Sequence, residues 1–411
     1  MNAMNNIDKL TRIGDHNRKS LKGGRRLFNL FYGFDPHPNT DQMDQIRQHM
    51  VMGDTLADAV AQMFSDLPGT QGRKLLNEAL ENGIESIDNP PQALVALFQQ
   101  VDQVPEWVDH EKITLACNVS RRVGISGELV LRNLALMGGY LGGAAAKPLV
   151  FTGQLDRMTP RRLVETGKFW MDVTTDGGLA RDQEGFKSAV RVRVMHAQVR
   201  AMLLKSEKWD MAWGSPLNQW DSMATILEFS SIFLTGLRSI GFIFTKKERE
   251  AVIHLWRYIG YLMGVEEKIL PRDESDSMKA LYRVIATMCE ADDDSRALGV
   301  SLADSPFQFA EDTVVSQYSA KVERILRIGY TRYILGDTAG DQLGLPKTKA
   351  KYFWPAQIPL RVGSEVLRMA IPSLNKKLIE VGERNAREMQ PIQVKKTSAD
   401  TTFTPVSTLA R

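Results

Sequence analysis

The chain has 411 residues, of which 43% are hydrophobic and 25% are charged, and its formal net charge is +3. This hydrophobic fraction is enough for a large buried core, and the balanced charge argues against disorder and against a nucleic-acid partner. The two cysteines, Cys117 and Cys289, are too few and too far apart for a disulfide framework or a cysteine-rich zinc site.

Residues 1–36 form a predicted basic N-terminal arm. Its lysines and arginines are Lys9, Arg12, Arg18, Lys19, Lys22, Arg25 and Arg26. An apolar stretch from Leu27 to Tyr32 follows, so the arm can either rest on an anionic membrane surface or pack its aromatic rings on the domain. We favour a solvated arm that packs on the domain and keep peripheral membrane contact as the alternative. Because no export-signal core follows the charges, we expect a cytoplasmic protein.

Residues 37–389 are predicted to form a single helical domain. Proline, glycine and asparagine turn signals separate runs of helical period, beginning with several short helices that form an N-terminal cover. Asp109 is placed to cap a helix that runs through Cys117. Thr245-Lys-Lys-Glu248 has the pattern of a capping box.

The C-terminal region continues the helical pattern from Val362 to Arg387. Residues 390–411 are polar, threonine-rich and aperiodic, and are predicted to form a flexible tail. No alternating apolar run is long enough for a sheet, so the predicted fold class is all-α.

An apolar run from Asn133 to Ala146 contains four glycines. It is shorter than a membrane span of about twenty residues and fits a buried helix better. Glycine costs a helix about 1 kcal/mol relative to alanine, so the glycines predict close approach either of another helix or of a flat ligand.

A pair of polar residues lies on the next predicted helix, which begins at Thr159-Pro160. Arg162 and Thr166 are four residues apart and share one face among apolar neighbours. They could bind an anion or the polar end of a cofactor. The alternative is an arginine that reaches the surface and a threonine that bonds to its own helix.

His196 interrupts the apolar face of a helix predicted over residues 186–206, an antiparallel neighbour of the Arg162 helix. Arg193 and Arg200 flank it at three and four residues. A histidine in this setting is either a core side chain bonded to carbonyls or a ligand. His254 lies off the buried stripe of its helix, so we expect a structural role for it and keep it as the reserve ligand.

Sequence motifs exclude several common site chemistries. The chain has no G-x-G-x-x-G after a strand, no P-loop, no G-x-S-x-G, no H-E-x-x-H and no pair of Glu-x-x-His motifs. One histidine is sufficient for haem, because the porphyrin supplies four nitrogens and the protein gives an axial ligand. His196 as iron ligand, with Arg162, Thr166, Arg193 and Arg200 around the cofactor, matches that requirement.

A larger set of motifs resembles the latex-clearing (rubber oxygenase) protein family. The resemblance is closer to the wider oxygenase group that contains the farnesyl-chain-cleaving enzyme of the mycophenolic acid pathway, and it spans residues 100–345. The motifs are Arg162-x-x-x-Thr166, His196-x-x-x-Arg200, Pro216-Leu-Asn-Gln-x-Asp221, Gly236-Leu-Arg-Ser-Ile-Gly241, Leu255-Trp-Arg-Tyr-Ile-Gly260 and Gly264-Val-x-x-x-x-Leu-Pro271.

This resemblance implies a globin-like helical core with additional N-terminal and C-terminal helices and one haem b. It makes His196 the proximal iron ligand and places Arg162 and Thr166 in the haem pocket as catalytic residues. Glu165 stands where rubber-cleaving members carry a lysine that can reach the iron, which makes it the third predicted catalytic residue. The glutamate that serves those members as base would fall near Ala146, where this chain has no acid.

The predicted function is therefore that of a haem b-dependent oxygenase that acts with dioxygen on a small apolar substrate, an isoprenoid or fatty alkene rather than polymeric rubber. Two alternatives belong to other classes. One is a haem-binding sensor or carrier without turnover, and the other is a cofactor-free helical scaffold at a membrane surface.

Overall fold

Helices form all the regular secondary structure in the part of the chain that the structure describes, so the all-α prediction is confirmed. The structure is a computed structural model that describes residues 7–17, 21–153 and 159–397. No single helix in these ranges is long and apolar enough to cross a membrane. One pair, Ile125–Tyr140 and Gly143–Phe151, passes the same test of length and composition only when taken together, and its axes are bent by 104°.

The helices are α1 (Leu21–Tyr32), α2 (Thr40–Val51), α3 (Thr55–Asp66), α4 (Gln71–Asn82), α5 (Gln92–Val101), α6 (His110–Arg122), α7 (Ile125–Val130), α8 (Met137–Tyr140), α9 (Gly143–Phe151), α10 (Thr159–Val173), α11 (Glu184–Lys205), α12 (Gln219–Leu227), α13 (Phe233–Ser239), α14 (Lys246–Leu262), α15 (Glu274–Thr287), α16 (Asp293–Phe309), α17 (Val314–Gln342), α18 (Phe353–Ala356), α19 (Ile358–Ala370) and α20 (Pro372–Thr397).

Helix α14 lies at the centre of the main core. It begins with the predicted capping box, in which the Thr245 side chain accepts from the Glu248 amide and Glu248 reaches back to the Thr245 amide. Its apolar stripe is fully buried and packs against α6, which begins at its own cap, Asp109. The local cap signals therefore predicted where both core helices start.

The two helices that carry the predicted site residues are neighbours. α10 and α11 pack against each other, and Ser188 near the start of α11 donates a hydrogen bond to Asp172 near the end of α10. On its other side α11 packs closely against α3, because Ala57 and Ala61 of α3 meet Ala197 of α11. The predicted helix over residues 186–206 corresponds to α11, Glu184–Lys205.

Two turns of π-helix interrupt the core helices. One covers Leu131–Leu136, between α7 and α8, and the other covers Glu228–Ile232, between α12 and α13. The two π turns pack against each other. Such turns insert a residue into a helix and often occur at functional sites, since they redirect the side chains that follow. The glycine-rich run is thus a π turn, a short helix and a sharp bend, not the one buried helix that its apolar length predicts.

The ends of the chain also differ from the sequence prediction. The Val362–Arg387 helix is broken, because Ile371 precedes Pro372 and takes an extended conformation that ends α19. Helix α20 then runs to Thr397, past residue 390, and residues 398–411 lie outside the described ranges. In the N-terminal arm, Arg12 is buried rather than solvated and makes two hydrogen bonds of 2.7 Å to Asp221.

Candidate functional site

His196 lies in the middle of α11, enclosed by protein, yet part of its surface remains accessible. Burial, and secondarily the nearby Arg200 charge, lower the pKa of His196 to about 4. Its ring nitrogens have no hydrogen-bond partner among the described residues, so the alternative of a histidine bonded to carbonyls is not observed. The side chain is a neutral imidazole with free nitrogens.

Arg193 and Arg200 flank His196 in the sequence but are used to hold α11 against α3. Arg193 contacts both carboxylate oxygens of Asp54, at 2.6 and 3.0 Å. Arg200 contacts Asp58 at 2.6 and 2.8 Å and also donates to the Leu217 carbonyl. Because their guanidinium groups are already engaged with α3, neither arginine is free to bind a cofactor.

Arg162 and Thr166 sit on α10 as predicted, and both retain unused hydrogen-bonding groups. Nη2 of Arg162 donates to the Tyr140 hydroxyl at the end of α8. Nη1 of Arg162 is buried and has no partner in the described ranges. The Thr166 hydroxyl likewise makes no hydrogen bond to a described residue, so it does not bond to its own helix as the alternative required. A buried guanidinium nitrogen without a partner is available to bind an acceptor.

Glu165, the third predicted catalytic residue, pairs with Arg161 on its own helix at 2.8 Å. About a quarter to a third of each side chain is accessible, 23% for Glu165 and 34% for Arg161. An ion pair between residues four apart on one helix is common at protein surfaces. The catalytic role of Glu165 stays a prediction.

Glu228 is a residue of this region that the sequence did not single out. It begins the second π turn, is enclosed by protein and has no hydrogen-bond partner among the described residues, although part of its surface is accessible. Its carboxyl group faces the glycine-rich segment, where a Cβ on Gly139 would lie 2.6 Å from Oε1. Burial raises the pKa of Glu228 to about 8, against the opposing charge of Arg162.

His254, the reserve ligand, has the structural role predicted for it. Its Nε2 accepts a hydrogen bond of 2.8 Å from the Asp109 amide, and its ring packs edge-on against Trp107. Burial lowers the pKa of His254 to about 4. One of its two ring nitrogens is therefore already in use for a structural contact.

Ala146, the position near which the resemblance would place a catalytic glutamate, is buried among apolar side chains such as Leu302. The next residue, Lys147, binds Asp292 and Asp294, each at 2.6 Å. Helix α9 itself therefore carries no acid, and the two acids that contact it are paired with Lys147.

The donor set suits a cofactor that brings most of its own ligands. No group of three or more His, Cys, Asp and Glu side chains in the described ranges could hold a bare metal ion. His196 offers one neutral nitrogen, the form that binds metals. Arg162 offers a buried cation for an anionic group, and Thr166 offers a hydroxyl. A porphyrin, which needs a single axial ligand and partners for its carboxylates, fits these residues.

Comparison with known proteins points to oxygenases. The family described as "ER-bound oxygenase mpaB/B'/Rubber oxygenase, catalytic domain" matches residues 122–368, a range that contains His196, Arg162 and Glu228. The "Rubber oxygenase" of Streptomyces sp. (strain K30) is 22% identical over 296 residues, which cover 70% of this chain and 69% of that protein. A solved structure of Latex Clearing Protein LCP in the closed state aligns with a TM-score of 0.60 and 20% identity, over 82% of this chain and 90% of that chain. The structural likeness supports the helical fold.

Proposed function

The chain belongs to the ER-bound oxygenase mpaB/B'/rubber oxygenase catalytic-domain family and is an oxygenase, and from that membership we propose that it depends on haem b. We propose further that it acts with dioxygen on a small apolar alkene, of isoprenoid or fatty character. The observation that carries the proposal is His196, a half-buried neutral imidazole without a hydrogen-bond partner in the described ranges. The cytoplasmic location stays a prediction.

His196 is the residue that would ligate the iron, since its ring is neutral at physiological pH and both nitrogens are free of described partners. Arg162 would pair with a haem carboxylate through Nη1, the nitrogen that has no described partner. The Tyr140 hydroxyl holds the other terminal nitrogen of the same guanidinium and so fixes its orientation. Haem, when bound, supplies the dioxygen chemistry that amino-acid side chains lack.

The substrate class follows from the surroundings of the site. The apolar cluster beside it joins Met137 and Tyr140 of α8 to residues of α9, α16 and α17, with Leu163 of α10 packed against it. An apolar environment of this kind beside Arg162 favours an apolar substrate over a polar one. Polymeric rubber is not the proposed substrate, because Glu165 replaces the lysine of rubber-cleaving members and Ala146 lies near the expected place of their glutamate.

A membrane surface is the proposed source of such a substrate. Helix α1 leaves three large apolar side chains in solvent, with 55% of Leu27, 76% of Leu30 and 74% of Phe31 exposed. The exposed basic residues Lys22 and Arg26 lie on the same helix. An amphipathic helix of this kind binds anionic lipid through both its charges and its apolar face. Phe28, which packs on Tyr282 of α15, and Phe34, which lies under Lys279 of α15, follow the favoured arrangement of aromatic rings on the domain.

The absorption spectrum of the purified protein, oxidised and reduced, with and without carbon monoxide, tests the cofactor. We expect a Soret band in the wild-type protein and a changed or absent band in His196→Ala. The matched control is His254→Gln, which removes a histidine that already has a structural partner and should leave the spectrum unchanged. An identical spectrum and full haem content in His196→Ala would show that the ligand assignment is wrong.

Oxygen uptake tests the reaction. The haem-loaded protein, supplied with a reductant and a panel of prenyl and unsaturated fatty alkenes, should consume oxygen and release carbonyl products with at least one of them. Haem binding without oxygen uptake on any alkene would favour a sensor or carrier instead. If the protein binds no haem, the cofactor-free helical scaffold at a membrane surface is the alternative that remains.

A further inference from the structure

Glu228 differs from its immediate neighbours in having no partner. The same π turn is fixed by Phe229, which stacks on Trp256 with ring centroids 4.5 Å apart, and by Ser231, which shares a hydrogen bond with Ser277. The Glu228 carboxyl group alone has no described donor, although it is enclosed by protein. A half-buried carboxyl group without a protein partner is available to a ligand or a substrate.

Gly139 leaves the space that the Glu228 carboxyl group occupies. Since a Cβ at position 139 would lie 2.6 Å from Oε1 and 3.6 Å from Cδ, any larger residue there would push the carboxyl group away. The glycine and the π turn come from different segments of the chain, yet together they direct one acid into the region of Arg162 and Tyr140. Glu228 therefore belongs to the same group of residues as Arg162 and Tyr140.

Two nearby charged residues change the pKa of Glu228 in opposite senses. Arg162 on α10 favours its ionised form, and Asp221, earlier on α12, disfavours it. Asp221 is itself bound to Arg12. On the opposing π turn the charged residue is Arg132, which pairs with Glu128 at 2.7 Å. Burial is the largest effect and outweighs the Arg162 charge, so the carboxyl group is neutral at pH 7.

We infer that Glu228 is the acid–base residue of this site and exchanges a proton with the substrate during oxygenation. The inference rests on the proposed function and deepens it. Cleavage of a C=C bond by one dioxygen molecule gives two carbonyl groups without net gain or loss of a proton. Any proton that moves during the reaction must therefore be returned, and the residue that moves it must titrate near the working pH.

Glu228 begins the step as a neutral carboxyl group. The O–H bond of Glu228 breaks as an O–H bond forms on an oxygen atom that has been added to the substrate, which leaves Glu228 as a carboxylate. The carboxylate then removes a proton from the oxygenated substrate as the second carbonyl forms. Arg162 stabilises the transient carboxylate, because its charge lies close enough to favour the ionised form.

Infrared spectroscopy of the haem-loaded protein gives a readout that does not depend on turnover. The wild-type protein should show the C=O band of a protonated carboxyl group that disappears as the pH rises through about 8, the pKa of Glu228. Glu228→Gln should lack this titrating band while it keeps the fold and the haem, since the amide has the same shape and no charge. The matched control is Glu267→Gln, at a side chain that is 48% accessible on the surface, which should keep the band.

The turnover rate and its pH dependence provide a second test of the Glu228 role. Loss of a general acid–base residue typically lowers the rate about 10²- to 10⁴-fold, so Glu228→Gln should lose activity to that extent and should also lose the alkaline limb of the pH–rate profile. A Glu228 that is already ionised at pH 6, or a Glu228→Gln protein with wild-type rate and pH profile, would overturn the inference alone. If the wild-type protein does not bind haem, the proposed function is wrong. The inferred role of Glu228 is then wrong as well, even if the infrared band is observed.

Discussion

Arg162 donates a hydrogen bond from Nη2 to the hydroxyl of Tyr140, while Nη1 of the same guanidinium is buried without a described partner. The guanidinium also lies near the face of the tyrosine ring, with Cζ 5.8 Å from the ring centroid. Tyr140 thus fixes one side of the cation and leaves the other side free for a ligand. The pair joins α10 to the glycine-rich segment.

Replacement of Tyr140 by phenylalanine should weaken cofactor binding without unfolding the protein. A hydrogen bond to a charged group contributes about 1.5–3 kcal/mol, so release of Arg162 should weaken haem affinity roughly tenfold or more, as measured by titration of the apoprotein with haem. Tyr261→Phe is the control, since Tyr261 donates to the Gln100 carbonyl at 2.9 Å and has no assigned role in the site. Equal haem affinity in Tyr140→Phe and wild type would contradict the positioning role of Tyr140.

Two adjacent glycines give a sharper test of the space beside Glu228. Gly139→Ala places a Cβ 2.6 Å from Glu228 Oε1 and should displace the carboxyl group, so we expect a shifted carboxyl titration and at least a tenfold lower turnover. Gly138→Ala is the control, because its Cβ would meet only Leu335 Cδ2 at 4.0 Å. That variant should keep its activity and gain up to about 1 kcal/mol in helix stability. Similar turnover in the two variants would show that the space at Gly139 is not needed.

The sequence predicted the parts of the fold that depend on local chemistry. Cap residues such as Asp109 and Thr245 fixed helix starts, and the apolar spacing around His196 predicted α11 nearly to its ends. These features depend on residues a few positions apart, so a pattern can reveal them. The break at Pro372 could have been predicted too, since the residue before a proline avoids the helical conformation.

The rest of the site depends on contacts between distant segments. The sequence did not single out Glu228, because its inferred role depends on a π turn and on Gly139, almost ninety positions earlier. Arg193 and Arg200 looked like cofactor ligands, because their carboxylate partners lie on α3, about 140 residues away. Helical spacing shows which side chains share a face but not what stands opposite that face.

The ion pair between Arg193 and Asp54 should contribute strongly to stability. Only 3% of the arginine side chain and 11% of the aspartate side chain are accessible. Removal of one partner leaves a buried unpaired charge, so Arg193→Met should lower the free energy of unfolding by about 3–5 kcal/mol. The double variant Arg193→Met/Asp54→Leu should recover part of this loss in a denaturant titration. Additive losses in the double-mutant cycle would mean that the two side chains do not stabilise each other.

His254 should make the free energy of unfolding depend on pH in the acidic range. Its pKa falls from an ordinary value of 6.5 to about 4 in the folded protein, so its contribution is complete above pH 6.5 and is lost as the pH falls towards 4. Protonation removes the acceptor for the Asp109 amide. We expect this residue to account for about 1–3 kcal/mol of the acid destabilisation.

His254→Gln keeps a hydrogen-bond acceptor that does not titrate, which makes it the variant for comparison. Its free energy of unfolding, measured by denaturant titration at several pH values, should fall less steeply than that of the wild type between pH 6.5 and pH 4. Parallel curves for the two proteins would mean that the neutral imidazole is not what the folded state requires.

The exposed face of α1 should bind anionic lipid vesicles. Leu30 and Phe31 are 76% and 74% exposed, and a leucine or phenylalanine side chain gains about 1.5–3 kcal/mol on full burial. Leu30→Ser/Phe31→Ser should therefore sediment with phosphatidylserine-containing vesicles at least tenfold more weakly than the wild type. Val314→Ser is the control, because Val314 is 87% exposed but lies on α17. Binding should also weaken as salt increases, since Lys22 and Arg26 contribute charge. Equal vesicle binding by both variants and the wild type would exclude α1 as the contact.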